Sequence, residues 1–72
     1  MAVNQWRNAY NDIDKALATE KYKDDSGIIA LRAVCAMQLN NRQQAIDDFQ
    51  RAYKLTDDPE LEREIEIYYD RL

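Results

Sequence analysis

Apolar residues recur along this chain in steps of three and four, the spacing of one face of an α-helix. The pattern is interrupted at Gly27, at Asn40-Asn41 and at Pro59, residue types that commonly end regular structure. The breaks predict helices over about residues 5–22, 27–39, 42–55 and 59–72. We therefore expect an all-α fold of four antiparallel helices in a single domain, residues 1–72.

Residues that favour helix N-caps stand near the start of each segment: Asn4, Ser26, Asn41 and Asp58. The last start is the most distinct, because Pro59 occupies the first helical position, where its missing N–H costs nothing. Asn40 is expected to adopt the left-handed conformation that ends a helix. The short turn that follows makes the second and third helices antiparallel neighbours.

The second predicted helix is apolar on almost every side, which is typical of the most buried helix of a domain. The one cysteine of the chain, Cys35, lies within it. With no histidine in the sequence to activate it, we expect a buried, inert thiol rather than a nucleophile.

A spacing of small and large residues occurs twice, 36 residues apart. It consists of Ala9, Ile13 and Ala16 on the first helix and Ala45, Phe49 and Ala52 on the third. An acidic pair follows each helix, at 24–25 and 57–58. Such a period indicates a helical repeat, whose units must stack to bury their apolar faces.

On these residues the stretch 29–59 resembles one tetratricopeptide repeat, with Ile29 and Ala33 matching the bulky and small positions of its first helix. Arg32 stands where that family prefers Leu. By the same resemblance, residues 6–20 are similar to the second helix of a preceding repeat. Residues 59–72 are similar to the first helix of a following repeat or to a terminal capping helix. The resemblance implies an α-solenoid fragment; a plain four-helix bundle is the alternative.

The charge distribution narrows the range of partners and cofactors. The chain carries 14 acidic and 10 basic side chains, and residues 56–72 alone have a net charge of −5. An acidic chain is a poor ligand for nucleic acid or for an anionic membrane. Without histidine, and with one cysteine, we predict no metal and no other cofactor. The sequence has no apolar run long enough to cross a membrane. We expect a cytoplasmic location if Met1 is the native start.

Two patterns of acidic residues are candidates for a catalytic or a calcium-binding site. Helical spacing pairs Glu60 with Glu64 and Glu62 with Glu66 on shared faces, but no second acid or base group accompanies them. Asp12 and Asp14 resemble the start of a calcium loop, yet the Gly and the closing Glu of such a loop are absent. We therefore expect a protein that is not an enzyme.

The resemblance implies that the first helix of each repeat lines a groove that takes up a peptide. The corresponding residues are Ala30, Val34, Met37, Gln38, Glu62, Glu66 and Tyr69. Such a groove is apolar and acidic, which favours a basic or apolar segment of a partner protein. We therefore expect a non-enzymatic protein-interaction or scaffold module.

Self-assembly is the alternative function. One full repeat with a half-repeat on each side leaves open stacking faces, and Trp6 and Tyr10 of the first helix are candidates for coverage by a second copy. The chain would then be a small homo-oligomeric helical domain. Burial of Trp6 within one copy distinguishes the two alternatives.

Overall fold

The computed structural model of the protein describes residues 3–72, which form four α-helices and no strand. The helices are α1 (Val3–Leu17), α2 (Ser26–Gln38), α3 (Arg42–Leu55) and α4 (Pro59–Asp70). Consecutive helices pack side by side, and α4 also contacts α2. The predicted all-α class is confirmed.

The first helix differs most from its predicted bounds, since it ends at Leu17 rather than near residue 22. The Thr19 hydroxyl donates a hydrogen bond to the carbonyl oxygen of Ala16 at 2.6 Å, and the Thr19 N–H donates to the same oxygen at 3.1 Å. These bonds satisfy a carbonyl that a continuing helix would use, so residues 18–24 form turns. Asn4 lies inside α1 and is not its N-cap.

The N-cap of α2 is Asp25, not Ser26 as expected. The Asp25 side chain accepts a hydrogen bond from the Ile28 N–H at 3.2 Å, and Ser26 is the first helical residue. The neighbouring acidic residue has another role, because Asp24 pairs with Arg51 of α3. The carboxylate that caps the helix therefore comes from the acidic pair that precedes it.

The remaining helix ends have the predicted chemistry. Asn40 is left-handed (φ 62°), and the N–H groups of Asn40 and Asn41 donate to Met37 and Ala36, closing α2 with a Schellman motif. Asn41 then caps α3 by accepting from the Gln44 N–H. Asp58 caps α4 by accepting from the Glu60 N–H at 2.9 Å, with Pro59 in the first turn.

The core lies mainly between α2 and α3. Small residues at their contact allow the two backbones to approach closely, and Phe49 fills the space toward α4. The Phe49 ring stacks on Tyr68, with centroids 5.6 Å apart and an angle of 9° between the planes. The buried apolar cluster comprises Ile29, Ala30, Ala33, Ala36, Ala45, Phe49, Ala52 and Ile65.

Candidate functional site

The repeated packing positions are buried to different extents in the two helices that carry them. On α3, Ala45, Phe49 and Ala52 are 0% exposed, because α2 packs on one side and α4 on the other. Their counterparts 36 residues earlier, Ala9, Ile13 and Ala16 of α1, are only partly buried. Ile29 and Ala33 of α2 are buried as expected. The outer side of α1 therefore keeps part of its apolar surface in solvent.

The two residues predicted for self-association, Trp6 and Tyr10, are both partly buried on α1. Tyr10 packs against the core, and burial is the main reason that the pKa of its hydroxyl is raised. Trp6 is partly buried within the single chain. Both residues are partly buried, so contact of either one with a second copy stays a prediction.

The seven predicted groove residues do not lie in one groove. Ala30 and Val34 line a cavity of about 220 Å³, the α2–α4 cleft. Glu66 and Tyr69 line a separate cavity of about 510 Å³, the α3–α4 cleft. The other three line neither cleft, and are partly buried (Met37, Glu62) or exposed (Gln38).

The rotation of α4 about its own axis explains this distribution of the predicted groove residues. The helix turns Leu61, Ile65 and Tyr68 toward α2 and the core. Successive helical residues are about 100° apart, so Tyr69 lies around the helix from Tyr68, on the side of α3. The α2–α4 cleft is completed by Gly27, Leu31, Phe49, Leu61, Glu64, Ile65 and Tyr68.

The α3–α4 cleft is an apolar depression between two exposed tyrosines. Its lining consists of Phe49, Gln50, Tyr53, Lys54, Ile65, Glu66, Tyr69 and Asp70. Phe49 and Ile65 are buried, whereas Tyr53 and Tyr69 are 40% and 39% exposed. Aromatic rings over an apolar base are the usual anchors of protein interfaces.

Hydrogen bonds across the cleft hold both tyrosines. The Tyr53 hydroxyl donates to Oε1 of Glu66 at 3.0 Å, and Nε2 of Gln50 donates to the Tyr69 hydroxyl at 3.0 Å. The hydrogen bond to Glu66 is the main reason that the pKa of the Tyr53 hydroxyl is raised. The cleft therefore presents fixed aromatic rings with carboxylates at its edge.

Sequence reasoning missed an ion network that joins three helices. Arg32 of α2 contacts the Asp48 carboxylate of α3 through Nε at 2.8 Å and Nη2 at 2.9 Å, and Asp14 of α1 through Nη1 at 2.7 Å. The hydrogen bond to Asp48 is the main reason that the pKa of Arg32 is raised. The sequence contained a signal for this network, because a charged residue on the most apolar helix requires a partner of opposite charge.

The cysteine and the glutamates of α4 lie in different surroundings. Cys35 is 1% exposed, and burial raises the pKa of its thiol, which disfavours the reactive thiolate. Glu60 and Glu64 are exposed on α4. Within residues 3–72, no group of three or more His, Cys, Asp or Glu side chains could hold a metal ion.

No protein-family model matches the chain, and searches of curated proteins and of solved structures gave no significant match. None of the helices within residues 3–72 combines the length and the apolar character that a membrane span requires.

Proposed function

We propose that this chain is a non-enzymatic protein-interaction module of the tetratricopeptide-repeat type, a short segment of α-solenoid. The main support is the contrast between the repeated positions. The same small-large-small spacing is fully buried on α3, between two neighbours, and partly exposed on α1. In a closed four-helix bundle α1 would also pack against α4, whereas among the described residues it packs against α2 alone.

Charge supports a polypeptide partner with basic or apolar character. The net charge of −4 opposes binding to phosphate backbones, and the −5 of residues 56–72 attracts cationic segments. Tyr53 and Tyr69 provide aromatic contact area at the edge of α4. Neither a cofactor nor a catalytic group forms part of this proposal.

The test is amide-resolved NMR of the whole chain with three peptide probes of about 16 residues. One is an amphipathic helix of Leu and Lys, one replaces every Lys by Glu, and one is a scrambled form of the Leu/Lys peptide. Saturable shifts with the first probe, weaker with the other two, are expected. Equal shifts with all three, or no saturable shifts, would refute recognition of a basic amphipathic segment.

Self-association through α1 is the second candidate, and partial exposure of the Trp6 face favours it. An antiparallel pair of α1 helices centred on Asn11 sets Trp6 against Ala16 of the second copy and Ala9 against Ile13. Each large residue then meets a small one, as a two-fold interface requires. Assembly in this way gives a homo-oligomeric helical domain.

Sedimentation over a concentration series tests this candidate directly. A mass of 8.5 kDa at every concentration supports the peptide-binding module. A mass that doubles with concentration and returns to that of one chain in Trp6→Lys supports assembly. The control is Tyr22→Lys, because Tyr22 is also partly buried but lies in the turns after α1.

A cytoplasmic location is part of the proposal. Its support is the single free cysteine, since an unpaired thiol is typical of reducing compartments. Cell fractionation with an antibody against the native protein tests it.

A further inference from the structure

Two clefts of the molecule are lined by residues in corresponding positions of the repeat. The α1–α2 cleft is lined in part by Asp14 and Leu17 of α1, by Ala18 directly after it, and by Ile29 of α2. Each of these four residues has a counterpart 36 residues later in the α3–α4 cleft, namely Gln50, Tyr53, Lys54 and Ile65. The repeat therefore places a cleft at a corresponding position in each helix pair, with a mostly polar lining in the first and a mostly apolar lining in the second.

The α1–α2 cleft is covered by the next helix, α3. Arg51 of α3 contributes to its lining, and Nη2 of Arg51 donates to the Lys23 carbonyl at 3.1 Å and to Oδ1 of Asp24 at 2.8 Å. The volume left in this cleft is about 250 Å³, against about 510 Å³ in the α3–α4 cleft. Among residues 3–72 no helix follows α4. Within residues 3–72, the larger cleft is therefore not covered by a helix of this chain.

The charges around the open cleft select a basic occupant. Glu66 and Asp70 line it along α4, against one cation, Lys54. The turn between α3 and α4 carries Asp57, and the turn after α1 carries Asp24, which binds Arg51. A helix that packs on α4 in the way that α3 packs on α2 would bring a cation of its own to the acidic turn between α3 and α4. A second copy is disfavoured, because α1 has no net charge and residues 56–72 repel one another.

We propose that the α3–α4 cleft binds an amphipathic helix of another protein, antiparallel to α4, with an apolar stripe on Tyr53 and Tyr69 and flanking Lys or Arg residues. This inference rests on the proposed function and specifies its site and the chemistry of its partner. The bound helix occupies the position relative to α4 that α3 occupies relative to α2. Its aliphatic residues cover the Phe49 and Ile65 surface, and its cations approach Glu66 and Asp57.

Charge variants at two positions of α4 test whether peptide binding depends on this cleft or on the overall charge of the helix. The probe is the Leu/Lys peptide of about 16 residues, titrated into the whole protein. Glu66→Lys changes the charge inside the cleft, and Glu64→Lys makes the same change on the side of α4 that lines the α2–α4 cleft. Glu66→Lys is expected to weaken binding by about tenfold or more, and Glu64→Lys by about threefold at most.

An aromatic variant tests the apolar part of the site. Tyr69→Ala is expected to weaken the peptide about tenfold while the cooperative unfolding of the protein is retained. NMR shifts on binding are expected at Gln50, Tyr53 and Glu66. In agreement with electrostatic attraction, the affinity is expected to fall as salt is raised.

The outcomes distinguish this inference from the function on which it rests. Equal loss of affinity in Glu66→Lys and Glu64→Lys, or shifts confined to α1 or to the α2–α4 cleft, overturns the site and leaves an interaction module. No saturable binding of the Leu/Lys peptide by a monomeric chain overturns both proposals. Self-association through the α3–α4 cleft is a further possible outcome, in which Tyr69→Ala returns the chain to one copy. That result overturns the choice of a different protein as occupant.

Discussion

Arg32 and Asp48 form a two-pronged ion pair across the contact between α2 and α3. Nε and Nη2 of the guanidinium lie 2.8 and 2.9 Å from the two carboxylate oxygens, and the side chains are 17% and 4% exposed. The Asp48 carboxylate is thus removed from water and depends on one residue for its counter-charge.

Loss of the guanidinium is therefore expected to be severe. Arg32→Met leaves the Asp48 charge buried and unpaired, which costs about 3–5 kcal/mol, comparable to the whole stability of so small a domain. Urea denaturation followed by circular dichroism is the measurement.

Arg32→Met/Asp48→Leu is expected to recover most of the loss, because an apolar pair of similar size needs no counter-charge. Asp14→Asn, at a carboxylate that is 58% exposed, is expected to cost about 1 kcal/mol at most. A double variant no more stable than Arg32→Met would contradict this account.

Equivalent alanines of the repeat are expected to respond differently to enlargement. Ala45→Leu overpacks a site that is 0% exposed and is expected to cost about 1–3 kcal/mol of unfolding free energy. Ala9→Leu, 36 residues earlier on the partly open side of α1, is expected to cost less than about 1 kcal/mol. Gln43→Leu on the exposed side of α3 is the control. Equal costs at Ala45 and Ala9 would contradict the greater exposure of the α1 site.

The neighbouring tyrosines of α4 are expected to separate stability from binding. Tyr68 stacks on Phe49, so Tyr68→Ala is expected to destabilise the fold by about 2–3 kcal/mol. Tyr69 is 39% exposed in the α3–α4 cleft, and its removal is expected to leave the thermal midpoint nearly unchanged. Calorimetry of both variants checks this pair. A greater loss of stability in Tyr69→Ala than in Tyr68→Ala would contradict the placement of Tyr68 in the core.

The N-cap of α2 is testable with adjacent alanine substitutions. Asp25→Ala removes the acceptor of the Ile28 N–H and is expected to cost about 1 kcal/mol. Ser26→Ala alters the first helical residue and is expected to be close to neutral, since alanine favours the helix. Chemical denaturation measures both. The reverse order would restore Ser26 as the cap.

Alkaline pH is expected to destabilise the protein through Cys35 and Tyr10. Burial raises the pKa values of both groups above their ordinary values of 9.0 and 10.0, so the folded state retains these protons longer than the unfolded chain does. Their contribution is fully present below the unfolded pKa values and is lost as pH rises through the folded ones. Urea midpoints are expected to be constant up to about pH 8 and to fall above about pH 9.

Cys35→Ala provides the matched control for this pH dependence. Without the thiol, the fall in the urea midpoint is expected to begin about one pH unit higher, where the tyrosines with raised pKa values, Tyr10 and Tyr53, lose their protons. At about pH 8 the wild-type thiol is also expected to react with a disulfide reagent about tenfold more slowly in the folded protein than in urea. An identical pH profile for the variant, or equal reaction rates, would contradict a buried thiol.

The sequence determined the local structure of this protein. The three- and four-residue spacing predicted four helices. The chemistry of Asn40, Asn41, Asp58 and Pro59 placed three helix ends to within a residue or so, because these signals act through neighbouring backbone groups. The end of α1 was missed because Thr19 competes for a helix carbonyl without interrupting the apolar pattern. Asp25 and Ser26 are both good caps, and the apolar pattern alone could not choose between them.

Only the tertiary structure decided which surfaces meet. The rotation of α4 about its own axis turned Tyr68 inward and Tyr69 outward, which divided the predicted groove between two clefts. The pairing of Arg32 with Asp48 joins residues 16 apart and depends on how closely α2 and α3 approach. Periodicity along one helix fixes which residues share a face. The direction in which that face points is set by packing against other helices, and that information is spread over the whole chain.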